Sequence, residues 1–408
     1  MKATRTYDIG VKVATGLFLA FIAAGFAVFG TRYALRSLAG AQVRDSRFGD
    51  FILRGGHMEI AGTKARPKGN EKAALQWEIS DNPPAKIKLL EAAAAIDRHL
   101  GWNIPAVSQR GPFHFTMGGG YLGNASYVTR ARLASRTRWL KNFTAKLKAA
   151  GGTNIVFAVC PSRYDEGDRL YENVFDFELA AIREEAKVLA ADGISTIDLA
   201  DRMRKSNLRP HDAFYATDHH FNDRCAIWSA KELATFVNDE FGTGLDLGAL
   251  APGNFKAHPY RQMFLGAIGK RATLSLCQKD DFRFLGTVLP VEFEFEAIRP
   301  NGSALHTRGG PKALASDPTL RRETPYAANP YGAYAYSDNA IAKIHNHSQT
   351  NGTRLLFFSD SSDNILLPVV ACAATDVESI DLRHYKDDPF GYVSTNHFDA
   401  VILFWSHP

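Results

Sequence analysis

In the segment YATDHHFN (215–222) a carboxylate, Asp218, stands two residues ahead of an imidazole, His220. In extended chain, residues so spaced leave the backbone on one side. Asp218 is then able to hold the His220 ring in the tautomer whose far nitrogen accepts a proton. Such a pair needs a nucleophile, and one is offered much later. The stretch RLLFFSDSSDNILLPVV (354–370) runs an apolar strand into Ser361 and then into a helical pattern. A serine at the carboxyl end of a parallel strand sits where open α/β sheets build their sites, beside helix N–H groups able to stabilise an oxyanion. Both halves have plainer readings. Ser361 alone suits a helix N-cap. Asp218, His219 and His220 alone suit a metal site or a solvated loop, although no further ligand stands at helical spacing and no HExxH-type motif occurs. His219 lacks the two-residue spacing to Asp218 and is the less suited imidazole.

The elements that must position these groups alternate as in an α/β sheet. Helix RTRWLKNFTAKLKAAG (136–151), strand NIVFAVCP (154–161), helix FELAAIREEAKVLAADG (177–193) and strand STIDLA (195–200) follow one another. The strands are apolar and rich in β-branched residues, which predicts burial on both faces. A helix from near Asn222 through AIWSAKELATFVNDEFG closes this half. From about 243 to 350 come short strands and loops, among them LSLCQ (274–278), FRFLGTVLPVEFEFEAI (282–298) and ANPYGAYAYSDN (328–339), read as an insertion that carries substrate contacts. Strand RLLFFSD (354–360), helix NILLPVVACAA (364–374), strand SIDLRHY (379–385) and strand AVILFWS (400–406) then resume the sheet. Upstream, KIKLLEAAAAIDRHL (86–100) predicts an amphipathic helix and FHFTMGGGYLGNASYV (113–128) a strand, turn and strand.

With 408 residues, 45% of them hydrophobic, the chain buries a large core and disorder is excluded. The net charge of +5 comes from 48 basic and 43 acidic residues spread along the chain, which gives no case for nucleic acid. Cys160, Cys225, Cys277 and Cys372 stand far apart without metal-finger or C-x-x-C spacing. Each reads as a small buried residue, with a disulfide open to them only outside the cytoplasm. Residues 13–30, VATGLFLAFIAAGFAVFG, carry no charge and are flanked by Lys2, Arg5 and Lys12 before and by Arg32 and Arg36 after. The run is long enough to span a bilayer. It has no polar face for a core helix and runs on into a basic segment rather than a small-residue cleavage site, so an uncleaved anchor is expected over a signal peptide. The resulting plan is a cytoplasmic tail (1–12), a transmembrane anchor (13–30), a juxtamembrane connector (31–85) and a body (86–408). The short tail stays inside, which expects a single-pass membrane protein with its body in the periplasm or on the extracellular face.

FYATDHHFNDRCAIWSAKELA, followed by RLLFFSDSSDNILLPVVACAATDVESIDLRHY, resembles the DHHW family of SGNH-hydrolase-like proteins. That family is similar in turn to the AlgX/AlgJ proteins of bacterial exopolysaccharide O-acetylation. GGGYLGN (118–124), CPSRYD (160–165) and IDLRHY (380–385) extend the resemblance over roughly 110–405. Asp-x-His precedes Ser, the reverse of ordinary SGNH esterases. The resemblance implies an SGNH-hydrolase-like (flavodoxin-like) three-layer α/β sandwich with a parallel central sheet, in which Ser361 is the nucleophile, His220 the general base and Asp218 its orienting partner. Two positions depart from the pattern: Phe221 stands where the family has Trp, and Ser362 where an aromatic or small apolar residue is expected. Ser361 would attack an acyl ester, and the oxyanion would be met by its own N–H and by Asn364 or Asn346, each of which also suits a cap or turn. Tyr331, Tyr334, Tyr336 and His219 are candidates for substrate contact, with strand packing the equal alternative for the tyrosines. Release to a sugar hydroxyl makes an O-acetyltransferase and release to water an acetyl esterase, while a fold that has lost turnover makes an assembly scaffold. The resemblance favours the transferase, acting on a polysaccharide with a membrane-bound acyl-donor protein and an export complex as partners. No cofactor is implied, because an acyl-serine route needs none, and no metal.

Overall fold

The computed structural model describes Glu91 and residues 114–117, 121–124, 128–163, 177–274, 277–319 and 324–405. The tail, membrane segment and connector expected over 1–85 lie outside these residues, as does all of the 86–100 helix except Glu91. Among the described residues no helix is long and apolar enough to cross a membrane.

Strands β1 (His114–Met117) and β2 (Tyr121–Asn124) pair as an antiparallel hairpin. Helix α1 (Arg130–Ala149) begins earlier than its periodicity suggested, because the Thr129 side chain accepts the Arg132 N–H and caps it. Strand β3 (Ile155–Val159), helix α2 (Phe177–Ala191) and strand β4 (Ser195–Asp198) follow. Asp198 ends β4 by capping the next helix, Leu199–Lys205. Helix α3 (Asp223–Phe241) is capped by Asn222 and closed by Gly242 in the left-handed region at φ 66. Strands β5 (Phe255–Phe264) and β6 (Asp280–Thr287) form a separate hairpin around the short helix α4 (Ala267–Ala272). Then come β7 (Phe293–Ile298), β8 (Ala304–Gly309), β9 (Ile341–Asn346), β10 (Arg354–Ser359), helix α5 (Leu367–Val370), β11 (Asp376–Ile380), helix α6 (Pro389–Thr395) and β12 (Ala400–Trp405).

The main sheet runs β4-β3-β12-β10-β11-β9-β7-β8. Its first five strands are parallel, and from β11 onward the pairing is antiparallel. The expectation of a parallel central sheet therefore holds for one half only. The segment 243–350 does not simply interrupt the sheet, since it supplies β7, β8 and β9. Along the parallel strands neighbouring residues enter opposite cores. Val156, Leu355, Phe357, Ile402 and Phe404 pack with Ala226, Leu233 and Val237 of α3. Phe157, Leu356, Phe358, Val401 and Leu403 pack with Leu140 and Phe143 of α1 and with Leu179 and Ile182 of α2. Burial on both faces follows, and with it the three-layer arrangement.

Three local expectations fail for identifiable reasons. The helix expected over 364–374 shrinks to α5, with a single 3-10 turn at Ser361–Asp363 before it; Pro368 has no N–H to continue the ladder. The strand expected over 379–385 is instead Asp376–Ile380. Asp381 stops it by forming a turn, its carbonyl accepting from His384 and Tyr385 N–H and its carboxylate from Arg383 N–H. LSLCQ contributes no strand among its described residues. The four cysteines are free, and Cys160, Cys225 and Cys372 are buried as expected.

Phe357 lies at the centre of β10 with no exposed surface. Phe357→Ala should cost about 3–5 kcal/mol of stability, seen as a lowered denaturant midpoint with an unchanged slope.

Candidate active site

His220 sits in a loop pinched at both ends. Phe214 and Phe221 form an antiparallel bridge, and the Asn222 N–H donates to the Ala213 carbonyl at 2.8 Å. Asn222 then caps α3, so the chain leaves the loop directly into a rigid helix. Inside the loop the backbone bends rather than extends. Asp218 and His220 meet because the chain turns: Asp218 Oδ1 accepts the His220 backbone N–H at 2.9 Å and the ring Nδ1–H at 2.5 Å. The expected partnership is present, through a turn instead of the one-sided projection of extended chain.

The loop backbone is satisfied from three directions. Arg163, just past the carboxyl end of β3, donates to the carbonyls of Asp218 at 2.7 Å and Tyr215 at 2.9 Å. The Asp280 carboxylate accepts from Ala216 N–H, Thr217 N–H and the Thr217 hydroxyl. Burial raises the Asp280 carboxyl above its usual range, with the Thr217 and Ala216 hydrogen bonds opposing. From the start of α4, Gly266 N–H donates to Thr217 Oγ1 at 2.9 Å and Ala267 N–H to Asp218 Oδ2 at 2.5 Å. That approach requires glycine: a Cβ on Gly266 would lie 2.3 Å from Asp218 Cβ, and one on Gly269 would lie 2.6 Å from Thr217 Cβ. Arg163, Asp280, Gly266 and Gly269 were not singled out from sequence, although the G-x-x-G of FLGAIGK marks a close backbone approach and Arg163 falls in the CPSRYD match.

The Asp218 carboxyl is held well below the usual carboxylate range. Burial pushes it up, but the charges of His219 and His220 and the hydrogen bonds from His220 together outweigh burial. An ionised carboxylate only accepts hydrogen bonds, so His220 Nδ1 carries a proton, and in the neutral imidazole Nε2 is then the acceptor. His220 Nε2 lies 3.0 Å from Ser361 Oγ. Ser361 follows β10, where Asp360 caps the 3-10 turn by accepting the Ser362 N–H at 2.9 Å. Asp218, His220 and Ser361 thus form one continuous hydrogen-bonded chain, with Ser361 at a strand's carboxyl end. His219 Nδ1 is farther from Asp218, at 3.6 Å. Asp218, His219 and His220 each offer a ligand atom within 4.8 Å of the others, but Asp218 is already engaged by His220 and Ala267, and His220 by Ser361, which fits proton relay better than metal binding.

The remaining candidates separate by position. The Tyr331 ring stacks on His220 with centroids 4.0 Å apart, and its hydroxyl donates to the Ser361 carbonyl at 3.2 Å. It is 3% exposed, so it braces the two groups and offers no open surface. Tyr334 is a core residue, 1% exposed, whose hydroxyl accepts from Leu285 N–H and donates to the Arg283 carbonyl; the expectation of substrate contact is corrected for it. Tyr336 is half-buried, stacked on Phe295. Asn364 borders a cavity of about 10 Å³ beside Ser361, together with Asp338, Asn339, Asp360, Asp363 and Asp381; this is room for roughly one water. Asn346 is corrected. It ends β9, which runs antiparallel to β11 with His345 opposite Asp376, so it stands at the opposite end of the sheet from Ser361. Its side chain donates to the Ala371 carbonyl.

The sequence over residues 121–275 matches the family model described as SGNH hydrolase-like domain, acetyltransferase AlgX. The matched stretch contains Asp218, His219 and His220 and ends before Ser361. Among curated proteins no match is found. Among solved structures, Bacillus cereus PatB1 superposes with a TM-score of 0.56 at 17% identity, covering 72% of this chain and 96% of that one. A DHHW family protein from Eubacterium siraeum superposes with a TM-score of 0.52 at 16% identity, covering 74% and 92%. At these identities the superpositions speak for the fold. The resemblance to AlgX-type SGNH-hydrolase-like proteins is borne out by the family model, which takes in the Asp-x-His motif, and the DHHW neighbour shares the fold.

Asp363, buried under the Ser361 turn, accepts the Ser379 hydroxyl at 2.5 Å. Burial pushes its carboxyl well above the usual range; the Ser379 bond opposes this, and the charges of Asp360 and Asp381 add to it. The folded state therefore holds this proton more tightly than the unfolded chain, so stability falls as pH rises through the unfolded value of about 3.9. Asp363→Asn keeps the acceptor for Ser379 and should be more stable than the parent at pH 7, by about 1.4 kcal/mol for each tenfold weakening of the acid. The advantage should vanish below about pH 4, which urea melts at the two pH values will read.

Proposed function

We propose that this chain, whose SGNH hydrolase-like domain is of the AlgX type, is an O-acetyltransferase that modifies a polysaccharide through an acyl-enzyme at Ser361. The observation that carries the proposal is the hydrogen-bonded chain from Asp218 through His220 Nε2 to Ser361 Oγ. In the proposed step Ser361 Oγ bonds to the ester carbonyl carbon while its proton passes to His220 Nε2, and the carbonyl electrons move onto oxygen. Collapse breaks the ester C–O bond, with the proton delivered from His220 to the leaving oxygen. A sugar hydroxyl, deprotonated by the same His220, then bonds to the acyl carbon; the Oγ–C bond to Ser361 breaks, and His220 returns the proton to Ser361 Oγ. Asp218 stays ionised throughout and stabilises the imidazolium. The matched family's description as an acetyltransferase favours a sugar acceptor over water, and acetyl-ester hydrolysis is the same chemistry with water in that place.

The uncharged segment 13–30 supports the further proposal that the body is anchored at the outer face of the bacterial inner membrane. There the acetyl group would come from a membrane-bound donor protein, because acetyl-CoA is a cytoplasmic metabolite. In an assay with p-nitrophenyl acetate, with and without an oligosaccharide acceptor, the parent protein should release p-nitrophenol and move acetyl to the sugar. Ser361→Ala should lower both rates by at least about 10³-fold. Full activity in that variant removes the assignment, and release that no acceptor accelerates points to the esterase.

A further inference from the structure

Ala335, Tyr336 and Ser337 adopt the left-handed backbone in succession, with φ of 48, 58 and 81. Side chains on L-residues crowd the following carbonyl in this region, and even single visits by non-glycine residues are uncommon. The run is held in place by Asn339, whose Nδ2 donates to the carbonyls of Ala335 at 2.7 Å and Ser337 at 2.9 Å. Ala335 N–H donates to the Leu314 carbonyl and Ser337 N–H to that of Tyr334. Strain of this kind persists only where surrounding contacts over-determine it, and it concentrates at working sites.

What the strained turn delivers is Asp338. Its Oδ1 accepts from Asn364 Nδ2 at 2.9 Å, and its other oxygen lies 3.6 Å from the Arg383 guanidinium, which is paired to Asp381. Asn364 is 5% exposed and shares the border of the small cavity with Ser361. A primary amide can present either its oxygen or its nitrogen to a neighbour, and only the nitrogen can meet an oxyanion. A carboxylate only accepts, so Asp338 selects the orientation in which Nδ2 faces it. One N–H of that nitrogen is then used, which leaves the second.

We infer that Asp338 is a positioning residue for acyl transfer: it fixes the Asn364 amide so that its second N–H meets the oxyanion formed at Ser361. The inference rests on the reading of Ser361 as the nucleophile. Loss of one oxyanion donor slows turnover by about 10²–10³-fold, and a positioning residue acts through that donor.

The test uses the full chain and p-nitrophenyl acetate. Asp338→Ala should lower kcat by about 10–100-fold with KM and melting temperature unchanged. Asp338→Asn, which restores an acceptor oxygen but permits the amides to flip, should recover part of the rate. Asn364→Ala should lower kcat at least as far as Asp338→Ala, and adding Asp338→Ala to it should change nothing further. Parent-like kcat in Asp338→Ala, losses that multiply in the double variant, or a loss that follows the folded fraction would each overturn the inference. A Ser361→Ala protein that keeps its rate overturns the nucleophile reading and this inference with it, whereas a Ser361-dependent rate indifferent to Asp338 overturns only the latter.

Discussion

The Asp218 carboxylate organises the site. One oxygen takes both the backbone and the ring N–H of His220, and the other takes the N–H of Ala267 from a different part of the chain. A buried carboxylate survives ionised only with such a set of donors, and each donor has its own structural requirement. The His220 pair needs a turn, so the loop is pinched by Phe214 and Phe221 and its carbonyls are taken up by Arg163. The Ala267 donor needs α4 to come close, and this forbids a side chain at Gly266. Thr217, anchored to Asp280, links the two. Removal of any of these supports would leave a charge in a poorly solvated place.

Against this fixed acid-base pair the sheet brings the serine. The loops after β3 and β10 supply Arg163 and Ser361 from the carboxyl ends of parallel strands, and the loop after β11 supplies Arg383. Two cores pack these strands on both faces. Tyr331 closes the arrangement, since it stacks on the His220 ring and donates to the Ser361 carbonyl, tying the two halves of the site to one side chain. The left-handed run at Ala335–Ser337 costs on the order of 1–3 kcal/mol per residue, a burden that the surrounding core absorbs.

Much of this was legible in the sequence. The alternation of apolar strands and amphipathic helices gave the parallel half of the sheet, and the spacing of Asp218 and His220 together with the strand before Ser361 picked out three side chains that the fold joins by hydrogen bonds. Local pattern carries no record of strand direction, however. Asn346 and Asn364 look equally suited to an oxyanion, and only the antiparallel pairing of β9 with β11 puts the first at the far end of the sheet. Tyr331 and Tyr334 are three residues apart and chemically alike, yet one stacks on His220 and the other hydrogen-bonds to the backbone of β6 in the core. Arg163 and Asp280 act on backbone groups far away in the chain, and no short motif encodes such a contact. Gly266 and Gly269 were readable in principle, as a G-x-x-G beginning a helix without a phosphate-loop context.

The relay from Asp218 through His220 to Ser361 is tested most directly by covalent trapping. Treatment of the full chain with an arylsulfonyl fluoride, followed by intact mass and peptide mapping, should give one adduct, on Ser361. Its rate of formation should fall at least 100-fold in His220→Ala and by about 10-fold or more in Asp218→Asn. An adduct on another residue, or labelling of Ser361 at the parent rate in His220→Ala, would contradict the relay.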